Sequence, residues 1–329
     1  MKRVPTYADV KQAARRIDPY ITHTHIRTSS RINQMLGCEV FFKCENFQRV
    51  GAFKFRGACN AVLALKAEDA ARGVVTHSSG NHAQALSLAA SIRKIPAYVV
   101  MPHNAPDVKK EAVKAYGAEI TFCEPTQEAR ENTAAKIADQ TGAVFIHPYD
   151  NPDIIAGHAT AVRELLYDVP ELNTVIVPVG GGGLLSGTAL AVKSILETVQ
   201  VIGVEPEKAD DACRSFKEGR LIQPDKTDTA PTIADGLRTS LSELTFEMIC
   251  DFADDIITVD EKSIIRDMKF IWERMNIIIE PSSAVPFSAL FNNLIDVKGK
   301  KVGLIITGGN VDLTRLPWHD CSSSKPNHS

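Results

Sequence analysis

Short apolar runs alternate along the chain with longer stretches in which apolar positions recur at helical spacing. The runs typical of buried strands are GVVTHSS, IPAYVVMP, AEITFCE, AVFIHPY, NTVIVPVG, VQVIGVEP, DDIITVD and KVGLIITGG. The predicted helices between them are Asn81–Lys94, Ala105–Tyr116, Glu128–Thr141, Leu185–Glu197 and Glu261–Arg274. Strand followed by helix, repeated in this way, predicts an α/β fold with mostly parallel sheets flanked by helices. Ligands of such sheets usually bind at the carboxyl ends of the strands.

The bulk composition excludes several classes of function. With 329 residues, 44% of them apolar, the chain is long enough for one large domain or two intimate ones. A net charge of -3, with no basic run, gives no reason to expect nucleic acid as a partner. The absence of a signal-like start and of an apolar run of about 20 residues predicts no membrane segment. Seven scattered cysteines without a C-x-x-C motif favour reduced thiols and a cytoplasmic location.

A run of four glycines, Gly180–Gly183, follows an apolar strand and precedes a helix that is predicted to begin near Leu184. Glycine lets the backbone approach an anion closely, and a helix N-terminus favours negative charge. The run therefore predicts a phosphate-binding loop. It fits neither the G-x-x-x-x-G-K-[ST] nor the G-x-G-x-x-G pattern, which argues against a nucleoside triphosphate or a dinucleotide. A tight strand-to-helix turn without a ligand is the alternative.

A second motif, G51-A-F-K-F-R-G57, places Lys54 between two phenylalanines. An apolar setting disfavours the ammonium form, so the pKa of this lysine is expected to be low enough for a nucleophilic amine. Taken alone, the motif also fits a lysine that extends its charged end from a cluster of core aromatics.

The residues GAFKFRG, SSGNH, GGGG and TGGN, in this order, resemble the fold-type-II pyridoxal-phosphate enzymes, the tryptophan synthase β-like fold. Within that group, the stretch from about Ala8 to Leu313 is similar to the serine racemases and serine/threonine dehydratases. The resemblance implies two interwoven domains. Residues 1–64 and 148–318 would form a large pyridoxal-phosphate-binding domain and residues 65–147 a small flexible one. The polar residues 319–329 are expected to be a disordered tail.

The same resemblance implies roles around the cofactor. Lys54 would carry pyridoxal 5'-phosphate as an imine, Phe53 would pack against its ring, and Asn81 would bind the ring's 3-oxygen. The phosphate would bind to Gly180, Gly181, Gly182 and Gly183. Thr307 would face the pyridine nitrogen, where a hydroxyl, unlike a carboxylate, does not hold the nitrogen protonated. The ring would then be a weaker electron sink, which suits β-elimination and rapid reprotonation.

Substrate contacts are implied for Ser78, Ser79, Asn81, His82 and Thr239. Ser79 would be the acid/base on the face opposite Lys54, because related racemases have S-S-G-N-H where threonine dehydratases usually have S-A-G-N-H. The alternative for Ser79 is a helix N-cap or turn hydroxyl. Two departures from the family pattern lie close by. Gly157-His158-Ala159-Thr160 stands where G-Q-G-T is common, and Tyr149 stands where animal racemases carry asparagine.

A divalent-ion site, for Mg²⁺ or another cation, is implied at Glu205, the carbonyl of Ala209 and Asp211, since Mg²⁺ prefers hard oxygen ligands. A solvated acidic loop is the alternative. ATP is an open possibility as an effector. Positions matching the ATP site of animal racemases are retained at Ser29, Ser30, Gln84, Tyr116 and Asn310, and the pattern departs at Arg31, Arg49, Val50 and Asn276. Strong regulation by ATP is therefore not expected.

The leading hypothesis is a homodimeric serine racemase that interconverts L- and D-serine and also acts as an L-serine/L-threonine dehydratase. A dedicated ammonia-lyase for L-threonine or threo-3-hydroxyaspartate is the alternative within the family. Two further classes stay open: a β-replacement enzyme of the cysteine-synthase kind, and a non-catalytic amino-acid-binding protein. The intact Lys54, Asn81 and glycine loop argue against the latter.

Overall fold

The structure is a computed structural model that describes residues 3–105, 107–223 and 230–318. The disordered tail predicted for 319–329 lies outside the described residues. The strands are β1 Ile26–Arg27, β2 Glu39–Cys44, β3 Val74–His77, β4 Ala97–Pro102, β5 Glu119–Cys123, β6 Val144–Phe145, β7 Thr174–Pro178, β8 Gln200–Pro206, β9 Asp255–Val259 and β10 Lys301–Ile306. Every strand predicted from the sequence is present, and β1 and β2 are additional.

The helices alternate with the strands over most of the chain. They are α1 Tyr7–Ile17, α2 Ser30–Leu36, α3 Lys54–Ala64, α4 Ala67–Ala71, α5 Asn81–Arg93, α6 Asp107–Ala115, α7 Gln127–Thr141, α8 Pro152–His158, α9 Thr160–Asp168, α10 Gly183–Ile195, α11 Asp211–Glu218, α12 Glu243–Phe252, α13 Glu261–Met275 and α14 Pro281–Phe291. Short 3₁₀ turns lie at Glu45–Phe47, Arg49–Gly51, Glu207–Ala209 and Asp235–Leu237. None of the described helices is both long and apolar enough to cross a membrane.

Local sequence explains where the helices begin and end. The Thr126 hydroxyl accepts a hydrogen bond from the amide of Ala129 at the start of α7, and Gly142 ends that helix in the left-handed conformation. Asp260 caps α13 in the same way through the amide of Ser263. Both ends of each of the five predicted helices lie within two residues of the prediction.

The strands form two sheets. One has six strands in the order β1-β2-β10-β7-β8-β9, and the other has four in the order β5-β4-β3-β6. All neighbouring strands are parallel except β1 and β2, which are antiparallel. The predicted α/β class with mostly parallel sheets is confirmed. The strands of the four-stranded sheet are contiguous in sequence and lie between β2 and β7, so the chain leaves the larger sheet and returns to it.

Both faces of the six-stranded sheet are buried. Val175 and Val177 of β7 belong to a core cluster on one face, whereas Ile176 between them belongs to a cluster on the other. Successive side chains of a strand point to opposite faces, so helices must cover both sides. This double burial is the reason that the strand sequences are continuously apolar, not alternating. It also leaves the carboxyl ends of the strands as the natural place for a ligand.

Candidate active site

The predicted motifs come together at the carboxyl ends of three strands. The serine loop, Ser78–Gly80, follows β3, and the glycine loop, Gly180–Gly183, follows β7. The segment that begins with Thr307 follows β10. The amide of Phe53 donates to the carbonyl of Thr307 at 2.9 Å, which fixes the start of α3 beside β10. The side-chain amide of Asn310 donates to the Asn81 carbonyl oxygen at 2.8 Å, which joins the two sheets.

Lys54 is the first residue of α3, and its side chain is partly buried. Its Nζ donates to the carbonyl of Pro148 at 3.1 Å and lies 5.0 Å from the centroid of the Phe53 ring. Burial lowers the pKa of this amine to about 8, and the negative charge of Glu280 partly opposes that effect. A substantial fraction of the amine is therefore neutral near physiological pH, as a nucleophile that attacks an aldehyde requires.

The glycine loop forms the N-terminus of α10, with Gly182 at the N-cap position in the left-handed conformation at φ 83°. A Cβ on Gly181 would lie 2.4 Å from ring atoms of Tyr149, and one on Gly180 would lie 3.1 Å from the Thr239 hydroxyl. Any side chain in the loop would therefore collide with the residues that enclose it. The amides of the first turn have no partner within the helix and favour an anion.

Two consecutive residues connect the lysine to the glycine loop. Pro148 accepts the hydrogen bond from Lys54, and the ring of Tyr149 lies over Gly181. A buried amine and an anion-binding loop thus lie on either side of one short segment. Pyridoxal phosphate needs both features, an amine for its aldehyde and an anion site for its phosphate, so the residues present fit this cofactor. In the sequence, Tyr149 is recognisable only as a departure from the family pattern. Its position over the glycine loop is a tertiary contact that the local sequence does not predict.

Glu280 is a residue of this site that sequence analysis missed. Its carboxylate accepts hydrogen bonds from the side-chain amide of Asn81 at 3.0 and 3.1 Å and from the backbone amide of Asn310 at 3.2 Å. Burial and the charge of Asp235 raise the pKa of Glu280 to about 7, although these hydrogen bonds oppose the shift. Asn81 is thereby held on both sides, by Glu280 and by Asn310.

The loop between β3 and α5 carries the candidate substrate contacts. Gly80 is the N-cap of α5, so Ser79 is not the helix N-cap, which is one of the two alternatives to a catalytic role, besides a turn hydroxyl. The Ser78 hydroxyl accepts from the Gly80 amide at 3.3 Å, whereas the hydroxyl of Ser79 has no hydrogen bond within the part of the chain that the structure describes. The Ser79 hydroxyl therefore has no structural hydrogen bond among the described residues, and its role towards a substrate stays a prediction.

His82 lies behind this loop. Its Nε2 is 3.3 Å from the carbonyl of Ile146, and burial, followed by the positive charge of Lys54, holds the pKa of its imidazole well below the usual value. The ring is therefore neutral, and the carbonyl partner assigns the proton to Nε2.

Thr307 is buried, and its hydroxyl is 2.9 Å from the hydroxyl of Ser283. The Ser283 oxygen also accepts from the amide of Gly308 at 2.8 Å. Sequence analysis did not identify Ser283. Thr307 and Ser283 thus present neutral hydroxyl groups at the end of β10, and the position of Thr307 opposite a pyridine nitrogen stays a prediction.

His158 packs against the ring of Phe53. The two ring centroids are 4.6 Å apart, with an edge-to-face angle of 60°. His158 is fully buried, its two ring nitrogens have no hydrogen-bond partner among the described residues, and burial holds its pKa well below the usual value. A Cβ on Gly57 would lie 2.5 Å from this ring, which explains the last glycine of the G51–G57 motif.

The candidate cation ligands lie where β8 leads into α11. The Glu205 carboxylate accepts from the amides of Ala212 and Cys213 at 3.3 and 2.8 Å, and one oxygen of Asp211 is buried without a partner among the described residues. Burial and the charge of Asp211 raise the pKa of Glu205 well above its usual value, and burial raises the pKa of Asp211 to about 6. Within the described residues, no group of three or more His, Cys, Asp or Glu side chains could hold a metal. The predicted set has two carboxylates and the carbonyl of Ala209.

A doubly covered parallel sheet, with a buried amine beside a glycine loop at a helix N-terminus, defines a fold-type-II pyridoxal-phosphate enzyme. Comparison with known proteins agrees. A family model described as pyridoxal-phosphate dependent enzyme matches residues 17–308, and the chain belongs to this family.

Individual relatives extend this assignment. The chain is 50% identical over 317 residues to a β-hydroxyaspartate dehydratase of Paracoccus denitrificans, which covers 96% of this chain and 99% of that protein. It is 47% identical over 321 residues to a serine racemase of Arabidopsis thaliana, with 96% of each chain covered. The solved structure of maize serine racemase superposes with a TM-score of 0.92 at 42% identity and covers 97% of both chains. The family resemblance inferred from the sequence is confirmed.

Proposed function

We propose that this enzyme is a serine racemase with L-serine and L-threonine dehydratase activity. The observation that carries the proposal is the Lys54 amine, whose pKa burial lowers to about 8 and which lies beside the glycine loop. Such an amine can bind the cofactor and can later accept a proton from a substrate. The serine racemases among its relatives support the choice of substrate.

The chain's own residues account for two outcomes. Bound pyridoxal phosphate supplies an electron sink that acidifies the substrate's α-proton. Lys54 Nζ removes that proton from one face, and the Ser79 hydroxyl donates a proton to the opposite face, which inverts the amino acid. Loss of the β-hydroxyl, which takes up a proton and leaves as water, instead gives elimination to an enamine, and water then hydrolyses the corresponding imine to a keto acid and ammonia. Ser78, Asn81 and the N-terminus of α5 bind the substrate carboxylate.

Arg130 favours a second candidate, a threo-3-hydroxyaspartate ammonia-lyase. Its Nε is buried without a partner among the described residues. Arg130 lies close enough to His77, next to the serine loop, for its charge to act on that imidazole. Burial lowers the pKa of His77, the charge of Glu131 opposes this shift, and the charge of Arg130 adds to it. A cation at this place suits the second carboxylate of a four-carbon substrate. The relative from Paracoccus denitrificans supports this candidate. Relative rates of keto-acid formation from L-serine, L-threonine and threo-3-hydroxyaspartate decide between the two.

Covalent attachment of the cofactor tests the role of Lys54. Borohydride reduction of the loaded enzyme is expected to fix the cofactor's mass on the peptide that contains Lys54. The Lys54→Ala variant should show neither this mass nor activity. Lys43 is the internal control, because it is also buried but donates to Glu164 and to the carbonyl of Thr24. Modification of Lys43, or an unmodified Lys54, would contradict the proposal.

Ser79→Ala separates the two activities. We expect D-serine formation from L-serine to fall by about 10²-fold or more, the typical contribution of a positioned proton donor. Keto-acid formation should fall far less, since elimination needs no proton from that face. Chiral chromatography and a keto-acid assay measure both products. Ser91→Ala, at an exposed serine on α5, the helix that follows the loop of Ser79, is the control. Equal loss of both activities in Ser79→Ala would show that Ser79 has only a structural role.

We further propose a divalent cation, with Mg²⁺ as the natural candidate, at Glu205, Ala209 and Asp211. Two buried carboxylates support it, because burial and the charge of Asp211 raise the pKa of Glu205, burial raises the pKa of Asp211, and a cation would favour the charged form of both. The homodimer, the cytoplasmic location, the division into two domains and weak regulation by ATP stay predictions.

A further inference from the structure

A second cleft lies between α1 and α9, away from the cofactor site. Its volume is about 350 Å³, within the range of small-molecule sites. None of the residues proposed to contact cofactor, substrate or cation lines it. Its walls come from α1, from the segment that follows α1, and from α9, and they are formed by Ala14, Arg15, Asp18, Ile21, His23, Thr160, Arg163 and Glu164.

The acidic groups of the cleft already have hydrogen-bond partners. One oxygen of Glu164 accepts from the Arg56 guanidinium at 2.6 Å, and the other accepts from Arg56 at 2.8 Å and from Lys43 Nζ at 2.6 Å. Arg56 and Lys43 are almost completely buried, so their pairing with Glu164 is well shielded from water. Asp18 pairs with His23, with 3.0 Å between the carboxylate and Nε2.

The basic groups, in contrast, lack counter-charges. Within the described ranges, neither Arg15 nor Arg163 lies within 4.0 Å of a carboxylate oxygen. Arg163 is half-buried, and its Nε is buried without a hydrogen-bond acceptor in that same part of the chain. A buried N–H without an acceptor costs roughly 1–3 kcal/mol. Arg15 and Arg163 therefore border a cleft of small-molecule size without a carboxylate partner, and Arg163 also has a buried N–H without an acceptor among the described residues.

We infer that this cleft is a binding site for a small oxyanion, a carboxylate or a phosphate, held through its oxygens by Arg163 and Arg15. A guanidinium presents parallel N–H donors that match a carboxylate or a phosphate in two-point fashion. Ala14 and Ile21 add an apolar wall that suits a short carbon chain. The inference does not depend on which amino acid the enzyme converts.

A chain of hydrogen bonds and packing contacts connects the wall of the cleft to the cofactor site. Glu164 forms part of its wall and also binds Arg56, which follows Lys54 by two residues on α3. Thr160, also in the wall, accepts a hydrogen bond from Arg56 at 3.2 Å and donates to the carbonyl of Gly157 at 2.7 Å. Gly157 is the neighbour of His158, which packs on Phe53.

Calorimetric titration of the cofactor-loaded enzyme at constant ionic strength tests the site. Succinate, inorganic phosphate and chloride are the three titrants, so a carboxylate ligand, a phosphate ligand and non-specific screening are distinguished. We expect saturable binding of succinate or phosphate but not of chloride. Arg163→Gln should weaken that binding by at least about 10-fold, equivalent to 1.4 kcal/mol. The exposed Arg15→Gln should weaken it by several-fold without a risk to folding.

Arg220→Gln is the matched control, because it removes one positive charge at a side chain that is 71% exposed and pairs with Glu218. It should leave the affinity unchanged within two-fold. Anion binding that is equally tight in Arg15→Gln, Arg163→Gln and the wild type would place the ligand elsewhere, including the substrate site, and would overturn the inference. The same holds if neither succinate nor phosphate binds to the wild type.

Discussion

At the scale of single residues, the cofactor site contains two groups whose pKa values move towards neutrality from opposite sides. Burial lowers the pKa of Lys54 to about 8 and raises that of Glu280 to about 7. Burial disfavours the charged form of each group, so an amine and a carboxyl move in opposite senses. Near pH 7 both therefore exchange protons readily, as acid–base chemistry at an α-carbon requires.

Glu280→Gln is expected to change how stability depends on pH. The pKa of Glu280 is higher in the folded than in the unfolded protein, so its favourable contribution is complete below about pH 4.5 and is lost as the pH rises to about 7. A neutral glutamine has no such dependence. The wild type should thus lose stability relative to the variant across this window, on the order of 2–3 kcal/mol.

Urea unfolding of both proteins between pH 5 and 8 measures this difference. The hydrogen bonds that glutamine cannot accept shift the variant's stability by a constant amount and do not affect the slope. Glu247→Gln, at an exposed carboxylate, serves as the control. Parallel pH profiles for the wild type and Glu280→Gln would show that this carboxyl ionises in the folded protein as it does in the unfolded one.

Some residues of the site can be predicted from a local sequence motif, whereas others reach the site only through tertiary contacts. Lys54 and the glycine run carry a local signal, an amine between aromatic rings and a loop without side chains. Glu280 has none, since a glutamate before proline at a helix start is common, and its partner Asn81 is 199 residues away. Tyr149 likewise gains its role through contact with a distant loop. Tertiary neighbours of this kind cannot be predicted from local pattern.

At the scale of elements, the buried strands were predictable because they are continuously apolar, whereas β2 was not. Lys43 lies inside that strand and is only 1% exposed. A charged residue in a strand argues against burial until its partner, Glu164 on α9, is known. β1 has only two residues and exists through its pairing with β2. Both elements depend on contacts that a single stretch of sequence does not show.

The junction of β8 and α11 predicts a response to Mg²⁺. Because the cation binds ionised carboxylates, and the pKa of Asp211 is raised to about 6, binding should tighten as the pH rises from 5.5 to 7.5. Mg²⁺ should therefore raise the melting temperature of the wild type more at pH 7.5 than at pH 5.5. Asp211→Asn should weaken Mg²⁺ binding about 10-fold or more.

Asp210→Asn provides the comparison, because Asp210 is adjacent but pairs with Arg214 at 2.9 Å. Its melting temperature should respond to Mg²⁺ as that of the wild type does. If Asp211→Asn also keeps the full response, the cation binds elsewhere and the acidic segment is only a solvated loop.

At the scale of the whole molecule, an apolar cluster that includes Val62 of α3 and Leu86 of α5 packs the four-stranded sheet onto the rest of the chain, and two sets of polar contacts add to it. Asn81, at the start of α5, binds Glu280 and Asn310. On the outside, Lys109 of α6 forms an ion pair with Asp235 at 2.9 Å. The first set belongs to the cofactor site, while the second is partly exposed and touches none of the residues proposed to bind the cofactor, although both of its charges act on the pKa of Glu280.

Lys109→Gln is therefore expected to loosen α6 without unfolding the protein. A partly exposed ion pair is worth at most about 1 kcal/mol, and a free energy of that size corresponds to roughly a five-fold change in an equilibrium. Amide hydrogen exchange within Asp107–Ala115 should rise by up to this factor, while the midpoint of urea unfolding stays nearly constant.

Lys110→Gln is a closely matched control, because Lys110 pairs with Asp107 inside the same helix and not across the sheets. Faster exchange in Lys109→Gln alone would show that the contact with Asp235 holds α6 in place. Equal exchange in both variants would show that the ion pair with Asp235 contributes no more to the stability of α6 than the contacts of Lys110 with Asp107 and His103 do.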